Sequence, residues 1–262
     1  MKRVLTAAQG ILMVLAALFV VSLIYTIITS IFILIIGIRD TGPEIDYCLM
    51  TLAVMIAIIL FYLWYRKNVE YSILERAEPK EIIKLKNMGI FLLVGIGCQL
   101  FAAGLLSLVR PVFDELFASY DENISSLFAA DTIIVAAYVV VLAPIIEELM
   151  LRGIMYSRLR QEISFTVANI LQATVFGIYH GDIIQGIYAF GIGLLFGYIY
   201  EKGRTLLAPI IVHIIINGSG FLLQWLKLGP YIPIWLAIVV GGILLLIGMV
   251  LFNKNTKFIN EA

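Results

Sequence analysis

Two carboxylates, two imidazoles and one amide lie inside or beside segments that are otherwise strongly apolar. Glu147 and Glu148 are adjacent, and the chain has only two histidines, His180 and His213. An ionisable group in hydrocarbon costs several kcal/mol, so such residues mark a function or a specific partner. Asn217 follows His213 by four residues, which places both side chains on one face of a helix. These groups come from three different apolar segments, and we expect them to converge on one membrane-embedded polar site.

The residue types limit the chemistry that such a site performs. Imidazole nitrogens and a carboxylate oxygen suit Zn²⁺, whose catalytic sites combine three protein ligands with one water molecule. A second carboxylate serves as a general base, and the activated water attacks an amide carbonyl. Asn217 is suited to orienting a ligand or stabilising the oxyanion. Nucleophilic catalysis is poorly supported, because the chain has no Gly-x-Ser-x-Gly elbow, Walker loop or dinucleotide fingerprint, and neither cysteine neighbours a histidine.

The glutamates lie at the end of an apolar run that is too short to cross a membrane alone. Thr132–Ile146 has 15 residues, or about 22 Å of helix, against about 30 Å of hydrocarbon. The sequence therefore predicts that the helix continues through Glu147 and Glu148. Glu148 and Arg152 are four residues apart and share a face, where an ion pair lowers the cost of embedding both.

The elements that carry these residues are predicted to be membrane spans. With 62% hydrophobic and 14% charged residues, the composition excludes a water-soluble fold. We predict an all-α polytopic membrane protein, a single transmembrane domain over residues 1–262 with its catalytic core over residues 132–226. About eight apolar runs are candidate spans: Val4–Ile38, Tyr47–Tyr65, Asn87–Val109, Thr132–Ile146, Ile163–Tyr179, Ile183–Tyr200, Thr205–Leu226 and Leu228–Asn253.

Charge placement predicts the topology of the chain. Of 18 Lys and Arg residues, 15 lie in alternate intervening segments beginning with the N-terminus, and 3 lie in the others. The positive-inside rule then places both termini in the cytoplasm. Two long connections, Arg66–Lys86 and Pro111–Asp131, are predicted to form surface helices, although a substrate-facing lid would leave the second with the same pattern. The zero net charge gives no indication of nucleic-acid binding.

Small residues and prolines near these groups indicate local packing and bending. Gly193-x-x-x-Gly197 predicts a close helix crossing. Pro144 precedes the glutamates and Pro209 precedes His213, and proline within a helix frees backbone carbonyls and bends the axis.

At these residues the sequence resembles the CAAX prenyl protease type II and bacteriocin-processing family of intramembrane proteases, known as CPBP or Abi proteins. The family has three motifs, Glu-Glu-x-x-x-Arg, Phe-x-x-x-His and His-x-x-x-Asn. In this chain they stand in the same order, at Glu147 to Arg152, Phe176 to His180 and His213 to Asn217. The motifs cover about a quarter of the chain, and nothing in the first three spans is diagnostic.

The resemblance implies an intramembrane endopeptidase that hydrolyses a peptide bond in a membrane-associated peptide or protein. Glu147 would be the water-activating base, and His180 and His213 would be metal ligands or water-positioning groups. Asn217 would be the oxyanion or ligand-orienting donor, and Glu148 would complete a Zn²⁺ site or only pair with Arg152. Both a metal-dependent mechanism and one based on glutamate-activated water are consistent with the resemblance.

The biological setting also follows from the resemblance and from the size of the chain. The small size of the chain favours a bacterial plasma-membrane member of the family. Bacterial members are associated with bacteriocin or signal-peptide maturation and with self-immunity. The alternatives are a non-catalytic immunity protein that binds a peptide, and an ion-coupled transporter. Glu147 lies near the cytoplasmic end of its span and His180 near the outer end of the next. A shared site therefore requires the fifth and sixth spans to be short or tilted.

Overall fold

The computed structural model describes residues 1–38, 42–69, 79–127 and 132–260, which form helices and turns without any strand. Proline and glycine positions coincide with several helix ends, as expected for residues that interrupt or terminate helices. The helices are α1 (Lys2–Ile36), α2 (Gly42–Val69), α3 (Pro79–Ile82), α4 (Leu85–Val109), α5 (Asp114–Leu127), α6 (Ile133–Leu159), α7 (Phe165–Tyr179), α8 (Ile183–Gly203), α9 (Leu207–Trp225) and α10 (Ile234–Asn260).

Seven of these helices are long and apolar enough to cross a membrane, namely α1, α2, α4, α6, α8, α9 and α10. The predicted all-α, polytopic membrane fold is therefore confirmed. The remaining one of the eight predicted spans is the fifth, Ile163–Tyr179, which forms the shorter helix α7. This helix has 15 residues and a length of about 22 Å. Helix α7 ends at Tyr179. Gly181, two residues later, has a φ of +72°, which a right-handed helix does not accommodate. The fifth span is thus short, as expected, whereas α8 has 21 residues.

The chain divides into two compact units, and the first contains residues 1–73 and 122–168. In this unit α1 packs against the last turns of α6 because Gly10 leaves room for Met155 and Leu159. Polar contacts hold the same two segments together at their ends. Lys2 pairs with Glu162 at 2.8 Å, and the Arg158 guanidinium donates to the Gln9 side chain at 2.7 Å.

The second unit contains residues 74–121 and 169–262, and α4 is its central helix. A Cβ at Gly97 would overlap the backbone of α10, so this glycine permits a close crossing of α4 and α10. Gly95 lies equally close to Ile215 of α9. Helices α7 and α8 cross at Gly193 and Gly197, which confirms the predicted role of that glycine pair.

The two long connections differ in how far the structure describes them. Residues 70–78 of the predicted surface helix Arg66–Lys86 lie outside the described residues. In the other connection the predicted helix is present as α5, and residues 128–131 lie outside the described part. Arg110 pairs with Asp121 and stacks 4.9 Å from the ring centroid of buried Phe117. Burial raises the pKa of Tyr120, whose ring lies edge-on to Tyr188 at 6.3 Å.

Candidate active site

The two glutamates lie in a short α-helical segment between two π-helical segments of α6. The π segments are Ala137–Leu142 and Leu149–Tyr156, and the α segment between them is Ala143–Glu148. Pro144 lies in the first turn of that α segment, and its missing N–H interrupts the regular hydrogen-bond ladder there. Wide π turns are frequent at functional sites because they change the direction in which side chains project.

Glu147, Glu148 and Arg152 are buried in the first unit, with exposed fractions of 7%, 0% and 0%. The Arg152 guanidinium donates to the Glu148 carboxylate at 2.9 Å. This confirms the predicted ion pair and the continuation of the helix through both glutamates. Ser157 donates its hydroxyl to the carbonyl of Arg152 in the π segment at 3.0 Å. No sequence motif pointed to Ser157, because its partner lies five residues away rather than four.

His180 lies at the end of α7, in the second unit, and its ring has a defined orientation. The Nδ1 atom of His180 is 2.8 Å from the carbonyl oxygen of Phe176. Since a carbonyl only accepts, Nδ1 carries the hydrogen, and Nε2 presents its lone pair. The Phe176 ring contacts the imidazole edge-on, with 4.7 Å between centroids. The predicted sharing of one helix face by Phe176 and His180 is therefore confirmed.

His213 is buried on α9, also in the second unit, with 4% of its surface exposed. The ring of Phe196 stacks against it with a centroid distance of 4.5 Å and an interplanar angle of 31°. Phe176 contacts the same imidazole edge-on at 5.9 Å. Phe176 therefore touches both histidines. Asn217 is partly exposed one turn farther along α9, as its spacing from His213 predicts.

Phe196 is a site residue that the sequence alone did not identify. It lies between Gly193 and Gly197 on α8, and its side chain is fully buried. The two glycines bring α8 close to α7, and this crossing fixes the position of Phe196. The contact with His213 depends on packing between helices, so spacing within one segment could not have revealed it.

The donor atoms suit a zinc ion, but neither unit contains a complete ligand set among its described residues. Within each unit taken by itself, no three His, Cys, Asp or Glu side chains are grouped closely enough to hold a metal ion. The first unit supplies two carboxylates, and the second supplies two imidazoles. These are the ligand types that Zn²⁺ prefers, and an imidazole Nε2 such as that of His180 is a suitable ligand atom.

The helices and their embedded polar groups define a polytopic membrane protein with buried ionisable residues. Residues 129–219 match the family described as Type II CAAX prenyl endopeptidase Rce1-like. All three motifs lie within that range. Residues 129–219 are thus an Rce1-like segment, and the resemblance recognised from the motifs is confirmed.

Two known proteins are similar to parts of the chain. The Putative membrane peptidase YdiL of Bacillus subtilis is 24% identical over 108 residues, which cover 40% of this chain and 44% of that protein. The Membrane-embedded CAAX protease MroQ of Staphylococcus aureus is 26% identical over 96 residues, covering 34% of this chain and 39% of that protein. The chain therefore matches less than half of the length of either relative. No solved structure is significantly similar to the chain.

Proposed function

We propose that the protein is an intramembrane endopeptidase that hydrolyses a peptide bond in a membrane-associated peptide or protein. The observation that carries this proposal is the pair Glu147 and Glu148, buried within a membrane-length helix inside the Rce1-like segment. The printed names of both relatives, a putative membrane peptidase and a membrane-embedded CAAX protease, support the same activity. Burial of two adjacent carboxylates costs free energy, so a protein retains such residues where they have a function.

In this proposal Glu147 is the general base that takes a proton from water. Glu148 forms an ion pair with Arg152, and the family resemblance implies that Glu147 is the water-activating base. The oxygen of the activated water attacks the carbonyl carbon of the scissile peptide bond. Glu147 then returns the proton to the leaving nitrogen, and the products are a carboxylic acid and an amine. Asn217 donates a hydrogen bond to the oxyanion that forms during the attack.

The imidazoles of His180 and His213 would orient the water or, together with Glu148, would hold a zinc ion. A zinc ion, when bound, supplies a Lewis acid that polarises the attacked carbonyl or acidifies water. The chain's own contribution is to fix the two rings. The Phe176 carbonyl sets the tautomer of His180, and Phe196 sets the plane of His213. Without the metal, the same imidazoles position water by hydrogen bonds.

We further propose a plasma-membrane location with both termini in the cytoplasm. The physiological substrate is a bacteriocin precursor, a peptide signal or a toxic peptide against which the cell protects itself. Fusions of a reporter to each terminus and to the loop between α9 and α10 test the orientation. Activity of a cytoplasmic reporter at both termini, and its absence at the loop, is the expected result.

The activity is tested with purified protein in lipid nanodiscs and a pool of quenched fluorescent peptides, each carrying one apolar segment. Cleavage by the unsubstituted protein and its loss in Glu147→Gln, which is nearly isosteric, support the peptidase. The control is Glu122→Gln, since Glu122 is exposed on α5 and is expected to have no effect. Binding of a pool peptide without any cleavage favours the non-catalytic immunity protein instead.

A further inference from the structure

Gln99 is a polar residue near the midpoint of the 25-residue membrane helix α4. At this depth there is no bulk water, so a side-chain amide needs a partner within the protein or in a ligand. The Gln99 side chain is only partly exposed, and within the described residues no other group forms a hydrogen bond with it. By contrast, Gln172 on α7 donates to the carbonyl of Gly193 at 2.8 Å.

The side-chain amide of Gln99, on α4, packs against α9, the helix that carries His213 and Asn217. A Cβ built at Gly220 would be 2.9 Å from Nε2 and 3.3 Å from Oε1 of Gln99. The amide therefore rests flat against the space that this glycine leaves open. Gly220 follows His213 by seven residues, which is two helical turns on the same face. Gln99 thus continues the line of polar groups formed by His213 and Asn217.

The proposed function explains what such an amide would bind. A peptide that crosses the membrane as a helix has all its backbone groups bonded internally, and it must unwind before a peptide bond can be attacked. Unwinding leaves N–H and C=O groups without partners in hydrocarbon. A glutamine amide offers both an acceptor and two donors, and so matches the backbone of an extended peptide.

We propose that Gln99 binds the main chain of the unwound peptide substrate, alongside the face of α9 that carries His213 and Asn217. This inference rests on the proposed peptidase function, because it assigns the ligand of the same site. The Gln99 amide occupies the space that Gly220 leaves by having no side chain. The ligand is a peptide backbone rather than a particular side chain, so Gln99 adds affinity without adding sequence preference.

The test measures peptide binding rather than cleavage. The probe is the member of the quenched-peptide pool that binds the Glu147→Gln protein most tightly, measured by fluorescence in nanodiscs. Analogues of this peptide carry an ester in place of one backbone amide at a time, which removes a single N–H donor. In the Glu147→Gln background, we expect one or two ester positions to weaken binding about 10-fold, equivalent to one hydrogen bond.

Adding Gln99→Leu should weaken binding of the all-amide peptide about 10-fold and abolish the ester penalty at those positions. Gly220→Ala, which displaces the amide without removing it, should reduce the same penalty. Gly191→Ala is the control, because a Cβ at Gly191 meets no atom within 4 Å, and the penalty should persist. Gln99→Leu removes a polar group from the membrane interior, so it is not expected to impair folding.

Equal ester penalties with and without Gln99→Leu would overturn the proposal, because a group other than Gln99 would then accept the peptide N–H. Failure of every pool peptide to bind would overturn it as well. Gln99-dependent binding without cleavage by the unsubstituted protein would retain this inference and reject the peptidase. Cleavage with ester penalties that do not depend on Gln99 would do the reverse.

Discussion

Removing one partner of the buried Glu148–Arg152 ion pair should strongly destabilise the protein. Both side chains are fully buried, and their closest atoms are 2.9 Å apart. Arg152→Met leaves the Glu148 carboxylate in the membrane interior without its guanidinium, at a cost of about 3–5 kcal/mol. With an unfolding entropy of about 2.1 cal/mol/K for each of 262 residues, the midpoint of thermal unfolding should fall by about 5–9 °C.

The pairwise origin of this effect is tested by a double substitution. Glu148→Leu combined with Arg152→Met replaces both charges with apolar side chains, and such replacements are often neutral or stabilising. The double variant should therefore recover more than half of the lost thermal stability, while both variants lose peptidase activity. Lys2→Met is the control, since the Lys2–Glu162 pair is exposed by 79% and 29%, and no resolvable shift is expected. A single variant as stable as the unsubstituted protein, or a double variant no better than the single, would refute this reasoning.

The remaining predictions concern helix packing, a surface carboxylate and the metal. Gly197→Ala should lower the free energy of unfolding by about 1–3 kcal/mol, because its Cβ would overlap the Asn169 side chain. Gly191→Ala should not lower this free energy, because its Cβ meets no atom within 4 Å and alanine favours a helix more than glycine does. Similar unfolding curves for the two variants would disprove the crossing. The hydrogen bond from Lys2 lowers the pKa of Glu162. The small stabilisation that this pair gives to the folded protein is therefore fully present above the ordinary Glu pKa of about 4.3, and it is lost as the pH falls through the lowered pKa. Lys2→Met should return this pKa to its ordinary value in an NMR titration, and an unchanged pKa would contradict the assignment. Removing metal with a chelator should reduce cleavage at least about 100-fold, with recovery on adding Zn²⁺; full activity after complete removal would leave only the metal-free mechanism.

Hydropathy and residue spacing predicted most of the fold. Long apolar runs identified the membrane helices because a helix must satisfy its own backbone within hydrocarbon. The i to i+4 spacing also predicted the contact of Glu148 with Arg152 and that of Phe176 with His180. Both contacts lie within a single helix, where the geometry follows directly from the sequence.

Features that depend on more than one helix could not be predicted in the same way. The stacking of Phe196 on His213 arises from packing between α8 and α9, and the position of Gln99 over Gly220 arises from packing between α4 and α9. The π segments on either side of the glutamates were also missed. Residue types encode them only weakly, although Pro144 gave a partial indication by removing one backbone donor.

The central claim is that Glu147 activates water for peptide hydrolysis, and isotopic labelling of the product tests it most directly. A pool peptide that the protein cleaves is incubated with excess enzyme in H₂¹⁸O, and the new carboxyl group is analysed by mass spectrometry. We predict one ¹⁸O atom in that carboxyl group after a single turnover, and a rate for Glu147→Gln that is about 10²–10⁴-fold lower. Cleavage by Glu147→Gln at the rate of the unsubstituted protein, or a product carboxyl group without ¹⁸O, would contradict this account.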